Sequence, residues 1–557
     1  MRRIYWFVAV LIMGVCTLQS AVAQQQPSIN VGGVTMNNDI IGWGDLHQLS
    51  LTTHNYGTAR SMGMGNAFTA LGADLVSASL NPAGIGMYVS GDISFSPMVQ
   101  SVKSPTAGAD EFVSNNFSER NTRFGFSSFG IVLPAYRGSG ALTNFNIAIA
   151  YNRIADFNQN YKYASYGNSA HNSLPNLLCE FSNAEGLMTN NDGKMDFGND
   201  PYYWGAVLAY KNGLTNKDAD GWFIDRIGAD AEVDQFTAVE TRGSIGEYAF
   251  SFGFNFVDKL YLGATIGIQS VNYRRYVFYG EDYLYPNGRP TGSEMPYQMT
   301  YMNYEQQTRI SGVGINLKLG LTWRPVHWLR IGAAYHTPTA YNLALLYNGN
   351  MWSETISAGN NPEDYDLNNG GRFEDYVESP LWEDDGEYAW RVSSPSRFMV
   401  GAAVTIARRV ILSADYENSR YSKTRLRRSP IQNLDYRETM SDYFTNASTL
   451  RLGAELRLLP KVNLRAGYIW SGSSLNYPEA IYTHPLTKQQ SYATAGIGFR
   501  FNETTYLDLA YQYNWGCTTR YQSFYATADD SLFSIESVPV STSYKRHIAV
   551  LTLGFRF

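Results

Sequence analysis

From about residue 90 onward, apolar and polar residues alternate along the chain with a period of two. Tyr248, Phe250, Phe252, Phe254 and Phe256 interleave with Ala249, Ser251, Gly253 and Asn255, and Asp258-Lys259 marks a tight turn. The pattern resumes with Leu260, Leu262, Ala264, Ile266 and Ile268, and recurs over Val313–Trp323 and Ala549–Phe557. Period two predicts β-strand. The face opposite the apolar one carries Gly, Ser, Thr, Asn, Gln and Arg, whereas a soluble sandwich would present a well-charged outer face. Large aromatics gather near strand ends, as in the interfacial girdles of a lipid-facing band.

Strands are predicted at 90–101, 121–136, 143–157, 244–257, 260–273, 301–323, 327–342, 393–406, 409–421, 446–459, 461–473, 490–501, 505–517 and 542–557. That is about fourteen, the even number expected of a bacterial single-chain barrel. Connections alternate. Short ones fall near 137–142, 258–259, 324–326, 407–408, 460 and 502–504; long ones at 102–120, 158–243, 274–300, 343–392, 422–445, 474–489 and 518–541. Short periplasmic turns opposite long external loops are the asymmetry of an outer-membrane barrel. The fold class expected is therefore all-β, a transmembrane antiparallel barrel spanning residues 90–557 in the outer membrane of a Gram-negative bacterium.

Composition agrees. The 557 residues would suggest several soluble domains by length, yet only 17% are charged, against roughly a quarter in soluble proteins. Aromatics reach 14%, with 41 Tyr, and Gly numbers 50. Mean hydropathy is −0.27, and past the N-terminus no apolar run approaches the ~18–20 residues of a membrane helix. A helical membrane protein is excluded. A net charge of −6 offers no basic footprint for nucleic acid.

Arg2-Arg3, the apolar stretch Ile4–Val15 and Ala21-Val22-Ala23 read as a signal peptide over residues 1–23. Val15 before Cys16 does not suit a lipid-attachment box. Cleavage leaves Cys179 and Cys517, either as a pair or as two unpaired thiols.

Residues 24–89 precede the barrel. A fourteen-stranded lumen lies between the side-chain-filled eight-stranded barrels and the open porins, so it needs a filling. The small-residue run Ala59–Ala70, with Phe68, Leu71 and Leu75 at helical spacing, and the compact turn Asn81-Pro82-Ala83-Gly84 read as that plug, or hatch. Gly63-Met64-Gly65-Asn66-Ala67-Phe68-Thr69-Ala70 followed by Asn81-Pro82-Ala83-Gly84 resembles the hatch of the FadL-type outer-membrane transporters of hydrophobic compounds. Ile331–Pro338, Leu412–Glu417 and Leu464–Tyr468 continue the resemblance in order, and Asn152–Asn158 with Thr241–Tyr248 look like its Bacteroidetes-type branch. The resemblance implies passive uptake of a hydrophobic small molecule, long-chain fatty acid at the family level, with rearrangement of the hatch around Asn81–Gly84. It also implies a lateral exit beside the third strand, where Asn152, Arg153 and Asp156 are unusual polar positions.

Little else suggests chemistry. The seven histidines form no zinc-protease spacing and no G-x-S-x-G occurs, so no enzyme, cofactor or metal centre is expected. Asn216–Gly221 matches the first half of a calcium loop, but Ile227 stands where a bidentate Glu belongs, and a polar turn is the default. The external loop 343–392 mixes acids (Glu363, Asp364, Asp366, Glu374, Asp375, Glu383, Asp384, Asp385) with Tyr365, Phe373, Tyr376, Trp382 and Trp390. It fits a solvated loop near lipopolysaccharide, or a surface that captures an apolar ligand or a protein. The resemblance to the Bacteroidetes-type branch implies an alternative function, a protein-binding barrel associated with type IX secretion, which the long acidic loops favour. Other expected partners are outer-membrane lipids, lipopolysaccharide and, through the C-terminal Phe557, the barrel assembly machinery.

Overall fold

The computed structural model describes residues 49–51, 55–108, 117–190, 193–197, 203–228, 230–285, 297–357, 372–378, 390–428, 444–474, 489–521, 523–527, 534–538 and 540–557. Fourteen antiparallel strands close into a barrel. They are β1 (Asp92–Gly108), β2 (Ser118–Arg137), β3 (Leu142–Asp156), β4 (Glu232–Phe256), β5 (Leu260–Leu284), β6 (Tyr297–Val326) and β7 (Leu329–His336), followed by β8 (Arg397–Ile406), β9 (Val410–Arg420), β10 (Asn446–Leu459), β11 (Val462–Ser471), β12 (Gln490–Arg500), β13 (Thr505–Tyr521) and β14 (Val540–Arg556). Each pairs with the next, and β14 returns to β1 with Phe555 opposite Ile93, so the sheet has no free edge. The transmembrane strands fall where the alternation predicts them.

The outward face is apolar: Phe95, Phe129, Phe250, Ile266, Leu317, Leu412, Leu509 and Leu553 are exposed, while inward Ser94, Asn146, Ser251, Thr265, Arg451, Gln512 and Thr552 are buried. This inversion suits lipid outside and a polar lumen inside. Trp323, Trp328, Phe501 and Phe557 stand exposed at the short-turn end, forming an aromatic girdle. Two of those turns, Val257-Asp258 and Ala407-Arg408, hold both central residues at positive φ, the type I′ geometry that matches the twist of a hairpin.

The long-loop side is more ordered than the alternation suggests. Strands β4 and β5 run for 25 residues and β6 for 30, well beyond the roughly 9–11 needed to cross a membrane. With the further strands Gln159–Ser169 and Ala340–Ser357 they raise a wall above the bilayer. Inside its mouth, the stretch expected as open loop 158–243 folds into a cap of helices α2 (Leu174–Ala184) and α3 (Trp204–Lys211); the hatch helix α1 spans Ala59–Gly63. Ser173 caps α2 and Pro175 starts it, a favourable helix entry. Leu174, Leu177, Phe181, Trp204 and Leu208 are buried against Tyr273, Met302, Tyr304 and Ile310 of the wall.

Cys179 is a free thiol buried with Met195, Val207 and Phe223; the side chain of Cys517 lies outside the described residues. Burial pushes the Cys179 thiol well above its ordinary range, which makes it inert. In the calcium-like stretch, the Asp218 carboxylate accepts the backbone N–H groups of Asp220 and Trp222 at 2.9 and 2.8 Å. It caps a hairpin turn. Of loop 343–392, residues 358–371 and 379–389 lie outside the described residues.

Candidate transport site: hatch, chamber and wall

Three short caps shape the hatch. Thr58 accepts from Ser61 N–H to start α1, Asp74 accepts from Val76 N–H to start the turn Leu75–Ala78, and Asn81 accepts from Ala83 N–H to start the turn Pro82–Met87. The Thr58 hydroxyl donates in turn to the Asp74 carboxylate at 2.8 Å, tying the first cap to the second.

The hatch backbone then runs round the inner wall strand by strand. Ala59 N–H donates to Thr552 Oγ1 on β14 at 2.7 Å, and Gly65 N–H to Thr494 Oγ1 on β12 at 3.1 Å. Thr69 N–H donates to Asp415 Oδ2 on β9 at 2.7 Å. Asn81 Nδ2 reaches Leu321 O on β6, and Asn146 Nδ2 on β3 donates to Ile85 O at 2.8 Å.

A belt of inward glycines makes this close approach possible. A Cβ at Gly253 would lie 2.2 Å from Gly86 N, at Gly263 2.2 Å from the Pro82 carbonyl carbon, and at Gly320 2.0 Å from Asn81 Oδ1. Further round, Gly332 meets Thr69 O at 2.1 Å and Gly467 meets Gly65 N at 2.2 Å. These glycines also face one another: Gly253 pairs with Gly263, Gly263 with Gly320, Gly332 with Gly401, and Gly453 with Gly467. The predicted hatch residues Asn81, Pro82, Ala83 and Gly84 are all buried, and Asn81 and Pro82 sit in the groove of Gly263 and Gly320.

Charges buried in the lumen complete the attachment. Glu247 on β4 and Lys318 on β6 form an ion pair, both essentially inaccessible. Ser79 Oγ donates to Glu247 Oε1 at 2.6 Å, Lys318 Nζ donates to Ser79 O at 3.3 Å, and Asn152 Nδ2 donates to Ser79 Oγ at 2.9 Å. One hatch serine thus joins β3, β4 and β6. Elsewhere Glu417 sits between Arg397 and Arg451, each at 2.7 Å. None of Glu247, Lys318, Arg397, Glu417, Arg451 or the glycine belt was singled out from sequence. The only signal was a charged residue on the inner face of an alternating strand, which one strand alone does not distinguish from a channel-lining position.

Of the three exit-strand residues, Asn152 therefore binds the hatch, while Arg153 and Asp156 meet at an interruption in the wall. The β2–β3 ladder runs from Arg137 opposite Asn144 to Ser128 opposite Asn152 and stops. Above it β3 pairs only with β4, through a bulge between Arg153 and Ala155, and β2 pairs only with β1. Among the described residues no backbone ladder joins β2 to β3 over this stretch. The Arg153 side chain spans it: Nε donates to Phe126 O at 3.1 Å and Nη1 to Asp156 Oδ2 at 2.8 Å. Asp156 Oδ1 also accepts from Gln100 Nε2 at 2.7 Å and Asn158 Nδ2 at 2.8 Å. Farther from the membrane, Lys162 meets Glu119 at 3.2 Å and closes the seam.

Inside the seam and above the hatch lies a chamber of about 80 Å³, lined by Tyr56, Asp156, Gln159, Tyr421, Gln512 and Arg546 among others. Its size is far below the ~300–1,000 Å³ of typical ligand pockets. Arg546 donates to Tyr56 Oη at 3.3 Å and Asp156 O at 3.5 Å, and its Nε has no hydrogen-bond partner.

The family model described as outer membrane protein transport protein (OMPP1/FadL/TodX) matches residues 181–557. The chain belongs to that family. It is an outer-membrane β-barrel of a family that transports hydrophobic compounds. The match begins within α2, so the hatch lies outside it. Among solved structures, a Pseudomonas aeruginosa FadL homologue is similar with a TM-score of 0.50 at 13% identity, over 91% of this chain and 98% of that one. The Pseudomonas putida toluene transporter TodX gives 0.48 at 13% identity over 91% and 99%. The Ralstonia pickettii toluene transporter TbuX gives 0.44 at 16% identity over 91% and 100%. No individually curated protein matches the chain with significance.

Proposed function

We propose that the barrel takes up hydrophobic compounds passively, long-chain fatty acids in particular, and releases them sideways through the wall between β2 and β3. The observation that carries this reading is the stop of the β2–β3 ladder at Asn152, beside the chamber, where side chains such as Arg153 take the place of backbone pairing. An apolar solute leaving by that gap enters lipid without crossing water. The chamber is too small for such a solute in this conformation, so passage requires the hatch around Asn81–Gly84, or the seam, to shift. Arg546 favours an acid over an uncharged hydrocarbon: the guanidinium faces the chamber, contacts no carboxylate within ion-pair distance among the described residues, and keeps one N–H unused. Two structural neighbours are toluene transporters, and the charged chamber is the reason to separate this chain from them.

Two variants test the two halves. Oxidising a Gly125→Cys/Arg153→Cys tether across the seam is expected to cut uptake of labelled oleate to the empty-vector level, with recovery on reduction. Unchanged uptake through a verified tether would overturn the lateral exit. Arg546→Met is expected to weaken oleate binding by roughly tenfold to a hundredfold and leave an uncharged hydrocarbon unaffected. Equal losses for both would remove the argument for an acid.

A further inference from the structure

On the outward face of β4, β5 and β6, three exposed arginines stand directly opposite one another. Arg242 pairs in register with Arg274, and Arg274 with Arg309. On the outward face of β2, β1 and β14 the same arrangement recurs: Arg120 opposes Lys103, which opposes Lys545, all exposed. Like charges directly opposed across strands destabilise a sheet, so two such rows need an anion.

Among the described residues no carboxylate is left to supply it. Glu240 is taken by Arg242, with Arg123 at 3.7 Å. Glu305 accepts the Tyr276 hydroxyl at 2.7 Å. Glu119 is engaged by Lys162. Among the described residues Arg274, Arg309, Arg120, Lys103 and Lys545 have no ion-pair partner. The first row lines a surface hollow of about 450 Å³ together with Tyr276, Gln307 and Leu346.

Position identifies the anion. On β6 the exposed apolar run ends at Val313, and on β1 it ends at Val99; Arg309 and Lys103 each stand two outward positions beyond. That offset is roughly 13 Å along a strand, or about 10 Å above the apolar band at the tilt of such barrels. An outer-leaflet lipid headgroup occupies that level, and arginine forks match phosphate oxygens bidentately.

We propose that these two rows bind the phosphate groups of a phosphorylated glycolipid of the outer leaflet, holding it against the wall on the strands that flank the seam. The proposal rests on the membrane orientation of the barrel and is independent of what the barrel transports.

The full-length barrel in detergent is titrated with bisphosphorylated lipid A, with dephosphorylated lipid A and with inorganic phosphate, for wild type and for Arg242→Gln/Arg274→Gln/Arg309→Gln. Native mass spectrometry reads binding and thermal melting reads the response. Lipid A binding is expected to fall roughly a hundredfold in the triple variant, and dephosphorylated lipid A to bind wild type weakly. Without lipid the variant, relieved of repulsion, melts no lower than wild type; with lipid A only wild type gains stability. The middle substitution alone, Arg274→Gln, moves each readout in the same direction. Equal lipid A binding by wild type and triple variant would overturn the site. Equal binding of the dephosphorylated lipid, or displacement by millimolar inorganic phosphate, would overturn the glycolipid phosphate as its ligand.

Discussion

Replacing Lys318 by methionine should unfasten the hatch without opening the barrel. Met nearly preserves the volume and removes the cation that neutralises Glu247 at a position with no access to water. Removing one partner of a buried ion pair costs roughly 3–5 kcal/mol, because the remaining charge is stranded. Glu247 would keep two neutral donors, Ser79 Oγ at 2.6 Å and Gln269 Nε2 at 2.8 Å, which places the cost toward the lower end. The bond from Lys318 Nζ to Ser79 O is lost outright. About 3 kcal/mol of weaker attachment raises the open fraction roughly a hundredfold.

Hydrogen exchange of peptides covering residues 75–88 reads that change directly, with the inter-strand amides of β4–β6 as the internal control. Exchange in the hatch should accelerate by about two orders of magnitude while the ladder amides stay protected. Glu247→Gln/Lys318→Met removes both charges and should return most of the protection, since neither charge is then stranded. Hatch exchange within a few-fold of wild type in Lys318→Met, or a double variant as fast as the single, would refute the assignment of Ser79–Glu247–Lys318 as the hatch anchor.

Gly263→Val should displace the turn Pro82–Met87, because the added Cβ falls 2.2 Å from backbone that has no alternative rotamer; larger single-channel conductance with an unchanged barrel melting temperature checks it. Trp204→Ala should loosen the external cap by roughly 3–5 kcal/mol, read as faster proteolysis within residues 170–231. Glu281, which accepts the Leu174 N–H at the start of α2 at 2.9 Å, is pushed up by burial to about 7. Its folded value lies above its unfolded one, so its contribution is complete below about pH 4.5 and is lost as pH rises through 7, by about 3 kcal/mol in all. Cap proteolysis should therefore speed up between pH 5 and pH 8, and Glu281→Gln should flatten the profile.

The barrel was legible because alternation is a local signal and because lipid outside with polar groups inside inverts the usual composition of the two faces. The hatch was legible for the same reason: Gly63–Ala70 and Asn81–Gly84 are contiguous. The cap was legible only in part. Leu174, Leu177, Leu178 and Phe181 have helical spacing, but within a stretch bounded by strands on both sides they read as apolar loop material. The wall above the membrane was missed where β4 and β5 keep alternating after their outward residues turn polar, whereas on β6 the predicted strand 301–323 already takes in most of it. The anchor was not legible at all. Glu247 and Lys318 lie 71 residues apart and meet across β5, so finding them requires the register of three strands at once.

That register also explains how the plug is held in one place. The glycine belt fixes the hatch by shape where its backbone lies in the groove, and Phe68, Leu71, Leu75, Val76 and Ile85 pack on Ala334, Met399, Val132 and Ala249 of the wall. The hatch also donates to Thr552, Thr494 and Leu321 O and accepts from Asn146, and water entering the lumen can replace each of these bonds as it breaks, so each contributes only about 0.5–1.5 kcal/mol net. The apolar side chains Phe68, Leu71, Leu75, Val76 and Ile85 lose transfer free energy on moving into a wet lumen, which holds the hatch against the wall. Two constraints meet on β3, the buried Glu247–Lys318 pair through Ser79 and the Arg153 bridge across the seam. They stand at the two ends of the sequence Glu247, Ser79, Asn152, Arg153, in which Asn152 binds the hatch serine and its neighbour Arg153 bridges the seam. Strand β3 thus touches the plug with one residue and the gap in the wall with the next, so that in the proposed lateral release a shift of Ser79 would reach the seam over one peptide unit.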